Sequence, residues 1–266
     1  MKIGCAAYSY RDYLLDQTQG PRQGEMSLTG FLDTAVQLGL DGVELTAYFF
    51  PSTERSCLNS LKREALARGL EISASAVGNN FCLPDAEQRR QQVEMCKRWL
   101  EHSVILGAPC MRVFAGPVPE GHSEKEAYAS CVAALQEVTQ HAERQGVVLA
   151  LENHGGITAT AEQTLALLKA VDSPWLRANL DFGNYSRDPY QEFRLVAPYA
   201  VTTHAKVSWF ERGYGSGTRH IVDYVKVKQA LDDVGYRGFI SIEYEEPEDA
   251  RTGVPAFVRH LQSIFG

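Results

Sequence analysis

The chain has 266 residues, 44% hydrophobic and 22% charged, the composition of an ordinary globular protein long enough for one large barrel or two small domains. Its 26 basic and 33 acidic residues leave a net charge of −7, and an acidic surface repels phosphate backbones, so an extended nucleic-acid interface is disfavoured. Six cysteines without a CxxC pair argue against a disulfide framework or zinc ribbon, and no segment is long and apolar enough to span a membrane; with Arg11 and Asp12 preceding any apolar run of signal-peptide length, a reduced, cytoplasmic protein is expected.

The first expected strand is Lys2–Tyr8, followed by a long connection, Arg11–Ser27, carrying Gly20, Pro21 and Gly24. Helical spacing of Phe31, Leu32, Ala35, Val36 and Leu38 predicts a helix over Leu28–Gly39. Strand Gly42–Leu45 leads into an aromatic loop, Ala47–Pro51, then a helix over Thr53–Arg68 that stops at Gly69. Strand Glu71–Val77 precedes a helix from Asp85 to Leu106, closed by Gly107. Strand Cys110–Phe114 precedes a helix over Ser123–Gln145, with Ser123 and Glu126 spaced as a capping box. The five apolar, mostly branched residues Val147–Leu151 suit a strand buried on both faces, and the run breaks abruptly into Glu152, Asn153, His154, Gly155 and Gly156. A helix over Thr160–Val171 and strand Leu176–Leu180 follow, the latter ending in Asp181, Phe182, Gly183 and Asn184. A short helix near Pro189–Ala197 leads to strand Ala200–Thr203, which ends in His204, Ala205 and Lys206. After a glycine-rich loop, Gly213–Gly217, come a helix over Val222–Val234, strand Gly238–Ile242 ending in Glu243, and a last helix over Val254–Ile264. Eight strand-then-helix units in this length predict a single-domain (β/α)₈ TIM barrel; an open doubly wound sheet is second, because no Gly-rich phosphate turn follows the first strand.

In such barrels chemistry collects where strands end. The last four strands end in Glu152, Asp181, His204 and Glu243, which would converge on one side of the mouth. Three carboxylates and an imidazole make an oxygen-rich site for one divalent cation, Mn²⁺ or Mg²⁺ by ligand preference, with Co²⁺, Fe²⁺ or Zn²⁺ also compatible. Without a cation, three carboxylates packed together repel and one has to protonate. Read singly, His204 suits a hydrogen-bonded core, Glu243 a solvated acidic strand end and Asp181 a helix cap; their recurrence at successive strand ends is what points to a site.

The segments LENHGG, LDFGN, THAK and ISIEYE, in this order, resemble the xylose isomerase-like TIM-barrel superfamily, and more narrowly its sugar phosphate isomerase/epimerase family, which includes D-tagatose 3-epimerase-like enzymes, hydroxypyruvate isomerases and inosose dehydratases. The resemblance implies Glu152, Asp181, His204 and Glu243 as metal ligands, with Glu152 and Glu243 doubling as the acid/base pair. It also implies a sugar or polyol substrate and an enediolate formed beside a cation-chelated ketone. The family often has histidine three residues after the Asp; here Asn184 stands in that place and becomes a candidate substrate contact.

His154, Lys206 and Arg219 are further candidate substrate contacts, with Arg212 an alternative to Arg219 in the same loop. Glu44 ends the second strand and is placed to orient a ligand or to pair with a basic neighbour. Tyr8, Tyr48, Phe49, Phe50, Phe81, Trp209 and Phe210 sit on strand-end loops, where aromatics wall a sugar pocket, form a homodimer contact or simply pack a loop. The expected activity is isomerisation or epimerisation of a keto-sugar. The alternatives are dehydration of a cyclic keto-polyol, an endonuclease IV-like repair nuclease, disfavoured by few strand-end histidines and acidic charge, and a non-catalytic sugar-binding barrel, against which the intact ligand set speaks.

Overall fold

Eight apolar strands, each followed by an amphipathic helix, close into a cylinder when neighbouring runs pair in parallel and the last run pairs with the first. The computed structural model describes residues 1–15 and 25–266, so Gly20, Pro21 and Gly24 of the long connection lie outside the described residues. The elements are β1 (Lys2–Ala6), α1 (Leu28–Gln37), β2 (Gly42–Thr46), α2 (Arg55–Ala67), β3 (Glu71–Ala76), α3 (Ala86–Leu106), β4 (Cys110–Val113), α4 (Glu124–Gln145) and β5 (Val148–Glu152). They continue with α5 (Ala161–Val171), β6 (Leu176–Asp181), α6 (Pro189–Val196), β7 (Ala200–Ala205), β8 (Ser208–Phe210), β9 (Arg219–Ile221), α7 (Tyr224–Asp232), β10 (Phe239–Ile242) and α8 (Ala250–Phe265). Around the closed barrel the order is β1-β10-β7-β6-β5-β4-β3-β2, so the expected (β/α)₈ architecture is the observed one. Among the described residues no helix is long and apolar enough to cross a membrane.

Alternation along the strands separates two environments. Leu45, Met111, Val113, Leu149, Leu151, Leu180, Ile240 and Ile242 are fully buried in the core cluster shared with the helices. Each such side chain contributes about 1.5–3 kcal/mol by leaving water. The residues one step away are small or polar and equally buried, among them Ala6, Glu44, Ala74, Ala76, Arg112, Ala150, Glu152, Asn179, Asp181, Thr202, His204 and Ser241. They share the inner face of the barrel, so this barrel has a polar lumen beneath its mouth.

Helix ends follow local chemistry. Ser123 and Glu126 form the expected capping box on α4, and Gly146 closes that helix in the left-handed conformation with φ 69°. Three features depart from the sequence expectation. First, β8 and β9 form an antiparallel hairpin where a loop is expected; each has three residues, too few for alternation to register, and Gly213, Gly215 and Gly217 take positive φ in the turn between them. Second, α8 begins at Ala250, capped by Asp249, and runs through Pro255 in its second turn at the loss of one backbone bond. Third, β5, β6 and β7 extend through Glu152, Asp181 and His204, because the ladder pairs Glu152 with Asn179 and Asp181 with His204.

Close strand approach makes Gly42 irreplaceable where β2 meets β3: a Cβ there would lie 2.5 Å from the Glu71 carbonyl oxygen and 2.9 Å from the Phe239 ring. Gly42→Ala is expected to lower stability by about 1–3 kcal/mol, because the obstructing atom is backbone and has to move. Chemical denaturation checks this, and an unchanged midpoint would contradict the packing argument.

Candidate functional site

Four neighbouring strands deliver the site. Glu152 closes β5, Asp181 closes β6, His204 is the penultimate residue of β7 and Glu243 follows β10, its amide bonding to the Ala205 carbonyl at 3.0 Å. An irregularity between Ala178 and Asn179 shifts the β6–β7 register so that Asp181 stands opposite His204. Asn153 locks the strand ends: its Oδ1 accepts from the Asp181 amide at 2.8 Å and its Nδ2 donates to the Asp181 carbonyl at 3.0 Å. The Gly183 amide donates to Asp181 Oδ1 at 2.7 Å, which fixes the carboxylate and leaves Oδ2 without a hydrogen bond.

One ligand-capable atom from each of Glu152, Asp181, His204 and Glu243 lies within 4.8 Å of the others, and all four residues are buried. His204 Nδ1 is 3.3 Å from Glu152 Oε2, 3.2 Å from Glu243 Oε2 and 3.8 Å from Asp181 Oδ2, with no well-formed hydrogen bond to any of them. Two buried atoms able to ligate a cation once deprotonated, His204 Nδ1 and Asp181 Oδ2, thus lack a hydrogen bond and stand beside two further carboxylates. That donor set suits a divalent cation.

The surroundings partly compensate this charge. Lys206 Nζ sits 2.7 Å from Glu243 Oε2 and 3.6 Å from Asp181 Oδ2, and it also bonds Glu245. Gly183 makes room for this lysine, since a Cβ there would come 2.7 Å from Lys206 Cγ. Arg112 Nε is 3.2 Å from Glu152 Oε2, and Asn179 Nδ2 donates to the same oxygen at 3.1 Å. Burial opposes ionisation of Glu152, yet His204 and Arg112 hold it below the usual carboxylate range. Burial likewise opposes ionisation of Glu243, yet His204 and Lys206 hold it well below. Asp181 goes the other way, pushed up to about 8 by burial and by Glu152 and Glu243, against the pull of Lys206 and His204. Burial disfavours the charged forms of His204 and Lys206, but surrounding carboxylates raise both well above their ordinary values.

A cavity of about 150 Å³ opens onto this cluster, lined by Tyr8, Tyr48, Arg112, Phe114, Glu152, His154, Glu243 and Glu245. His154 stands at its exposed edge with its ring 4.4 Å from that of Phe114. Asn184 is at the cluster, its Nδ2 3.4 Å from Glu152 Oε1. Arg219 is not brought here: it lies on β9, half-exposed and 2.6 Å from Glu246, lining a separate cavity against α8. Arg212 is exposed on the hairpin turn. Of the aromatics, Tyr8 and Tyr48 line the cavity, whereas Phe49, Phe50 and Phe81 are buried in the hydrophobic core. Trp209 stacks on His220 at 4.4 Å, and Phe210 meets Tyr214 on the hairpin.

Sequence reasoning passed over Arg112, Asn153, Asn179, Phe114 and Glu245. The signal for Arg112 and Asn179 was a polar residue inside an otherwise apolar strand, CMRV and LRANLD, which burial converts into a lumen contact. Arg112 also donates to the Val77 carbonyl at 3.0 Å and lies 4.0 Å over the Phe114 ring, so the guanidinium is held in place at the cavity wall.

A family model described as xylose isomerase-like TIM barrel matches residues 32–263. The chain is 27% identical over 191 residues to an uncharacterized protein of Methanocaldococcus jannaschii, the match covering 66% of this chain and 64% of that one, under two thirds of the archaeal protein's length. It is 26% identical over 223 residues to a 3-dehydroshikimate dehydratase of Bacillus anthracis, covering 77% of this chain and 71% of the relative. Among solved structures, D-psicose 3-epimerase from Clostridium cellulolyticum H10 superposes with a TM-score of 0.75 at 20% identity, over 100% of this chain and 90% of that one, a likeness of fold.

Proton competition would set the pH dependence of a cation bound at this cluster. A carboxyl raised to about 8 carries its proton below that pH, and a cation has to displace it. Mn²⁺ affinity should therefore weaken as pH falls from about 8 to about 6, by roughly tenfold per pH unit for each proton displaced. Calorimetric titrations of metal-stripped protein check this; a pH-independent Kd would contradict the protonated Asp181.

Proposed function

The chain belongs to the xylose isomerase-like TIM-barrel family, and from that premise we propose that it is a divalent-metal-dependent isomerase or epimerase of a small keto-sugar or related hydroxy-ketone. The observation that carries this reading is the pair Glu152 and Glu243. They come from strands separated by two others, yet both line one small cavity, with His204 Nδ1 within 3.3 Å of each. Glu152, Asp181, His204 and Glu243 would hold a divalent cation, which would supply Lewis-acid polarisation of a carbonyl and so acidify the adjoining C–H.

The remaining work falls to the chain's own groups. Glu152 and Glu243 are both held in the ionised form, the form a general base needs. Glu152 takes the proton from the carbon beside the ketone. Glu243, supplied with a proton by the Lys206 ammonium 2.7 Å away, returns one to the opposite face or to the neighbouring carbon. Glu152 and Lys206 then regain their starting states by exchange with solvent. Arg112 and Asn184 hold Glu152 from two sides, and Lys206 holds Glu243, so neither carboxylate is free to swing out of the cavity. Tyr8, Tyr48 and Phe114 narrow the cavity over a sugar-sized ligand, and His154 at its edge is placed to meet a substrate hydroxyl.

A second reading is dehydration of a cyclic keto-polyol, in which one carboxylate removes the same proton and a β-hydroxyl leaves as water. Lys206 supports it: a buried ammonium among three carboxylates can give the departing hydroxyl its proton. The dehydratase among the relatives supports it as well. A repair nuclease draws no support from a cluster with a single histidine.

Ketoses and cyclic keto-polyols incubated with Mn²⁺-loaded protein in deuterated water separate these readings. Deuterium entering beside the ketone without loss of water is expected for isomerisation or epimerisation, whereas a conjugated enone absorbing in the ultraviolet marks dehydration. With the responding substrate, Glu152→Gln and Glu243→Gln should each lower turnover by about 10²–10⁴-fold at saturating metal. Near wild-type turnover in either variant would overturn the two-carboxylate mechanism.

A further inference from the structure

His204 is gripped on both ring edges. Nδ1 faces Glu152, Asp181 and Glu243, while Nε2 lies 3.1 Å and 3.0 Å from the two oxygens of Glu44. Glu44 belongs to β2, which is separated from β7 by β1 and β10, so this contact crosses the lumen. Both residues are 0% exposed, and the carboxylate's hydrogen bonds among the described residues go to this one nitrogen.

The local structure is built to permit that reach. The register of β2 against β3 shifts between Val43 and Glu44, an irregularity of the kind that re-aims a side chain. The residues opposite Glu44 on the two neighbouring strands are Ala6 and Ala74, which leave the space the long side chain needs. A carboxylate buried this deeply is costly without a donor, and here the donor is the far edge of the imidazole. A carboxylate that accepts from one ring nitrogen keeps the proton there, fixes the ring plane and directs the other nitrogen's lone pair outward.

We infer that Glu44 is a positioning residue, holding His204 with Nε2–H toward itself so that Nδ1 is presented to the cation. The inference rests on the metal-binding reading above and goes beyond it by assigning the group that orients the imidazole.

The test uses the full chain, stripped of metal and titrated with Mn²⁺ at fixed pH, beside ¹⁵N-imidazole spectra of the metal-free and Zn²⁺-loaded forms. Glu44→Ala should weaken Mn²⁺ binding by about 10–100-fold, the usual effect of removing an outer partner of a ligand histidine. Glu44→Gln keeps an acceptor oxygen and should fall between Glu44→Ala and the wild type. The wild type should show a downfield, slowly exchanging Nε2–H resonance that His204→Asn removes, that Glu44→Gln shifts and that Glu44→Ala abolishes. Wild-type Mn²⁺ affinity and an unshifted resonance in a folded Glu44→Ala would overturn the inference. If Glu44→Ala does not fold, the same two outcomes in Glu44→Gln overturn it. A wild type that binds no Mn²⁺ defeats the metal reading alone, and the resonance then decides whether Glu44 orients His204.

Discussion

Negative charge buried without enough positive charge is the constraint around which this barrel is arranged. Two like charges 4 Å apart cost about 4 kcal/mol at an effective dielectric of 20, and Glu152, Asp181 and Glu243 offer oxygens within 4.8 Å of one another and of His204. Lys206 and Arg112 stand at the edges of the cluster and offset part of that repulsion. The remainder falls on Asp181, which keeps a proton to about pH 8 because burial and its two carboxylate neighbours outweigh Lys206. A divalent cation held among these oxygens would offset that remainder.

The scaffold keeps that arrangement rigid. Asn153 ties β5 to the backbone of Asp181, Gly183 lets Lys206 pack against the turn, and Glu44 spans the lumen to the back of His204. The side chains come from strands whose outer faces are packed into the helix layer, which fixes the backbone that carries them. The aromatic and histidine side chains that border the cavity lie at strand ends and in the turns that follow them. Strand-end turns of barrels are where residues can vary without disturbing the core.

Much of this was legible in the sequence because a largely apolar strand-length run followed by a helix repeats eight times, with Gly39, Gly69, Gly107 and Gly146 closing the first four helices. Glu152, Asp181, His204 and Glu243 stood out as charge at the end of such runs. Arg112 and Asn179 did not, because a polar residue in mid-strand reads as a defect until the lumen turns out to be polar. Arg219 misled for the opposite reason: it follows β7 in sequence, but the three-residue strands of the hairpin carry it onto Glu246, away from the cluster. Phe49, Phe50 and Phe81 share the strand-end position of Tyr8 and Tyr48 but are buried in the hydrophobic core and do not line the cavity, a difference that local sequence does not encode.

The most direct test of a cation at the four strand ends is anomalous diffraction at the manganese edge from crystals grown with Mn²⁺. The account predicts one peak per chain in the barrel mouth, at bonding distance, about 2.0–2.3 Å, from His204 Nδ1 and from a carboxylate oxygen each of Glu152, Asp181 and Glu243. An empty cluster at saturating Mn²⁺, or a peak held by other residues, would contradict it.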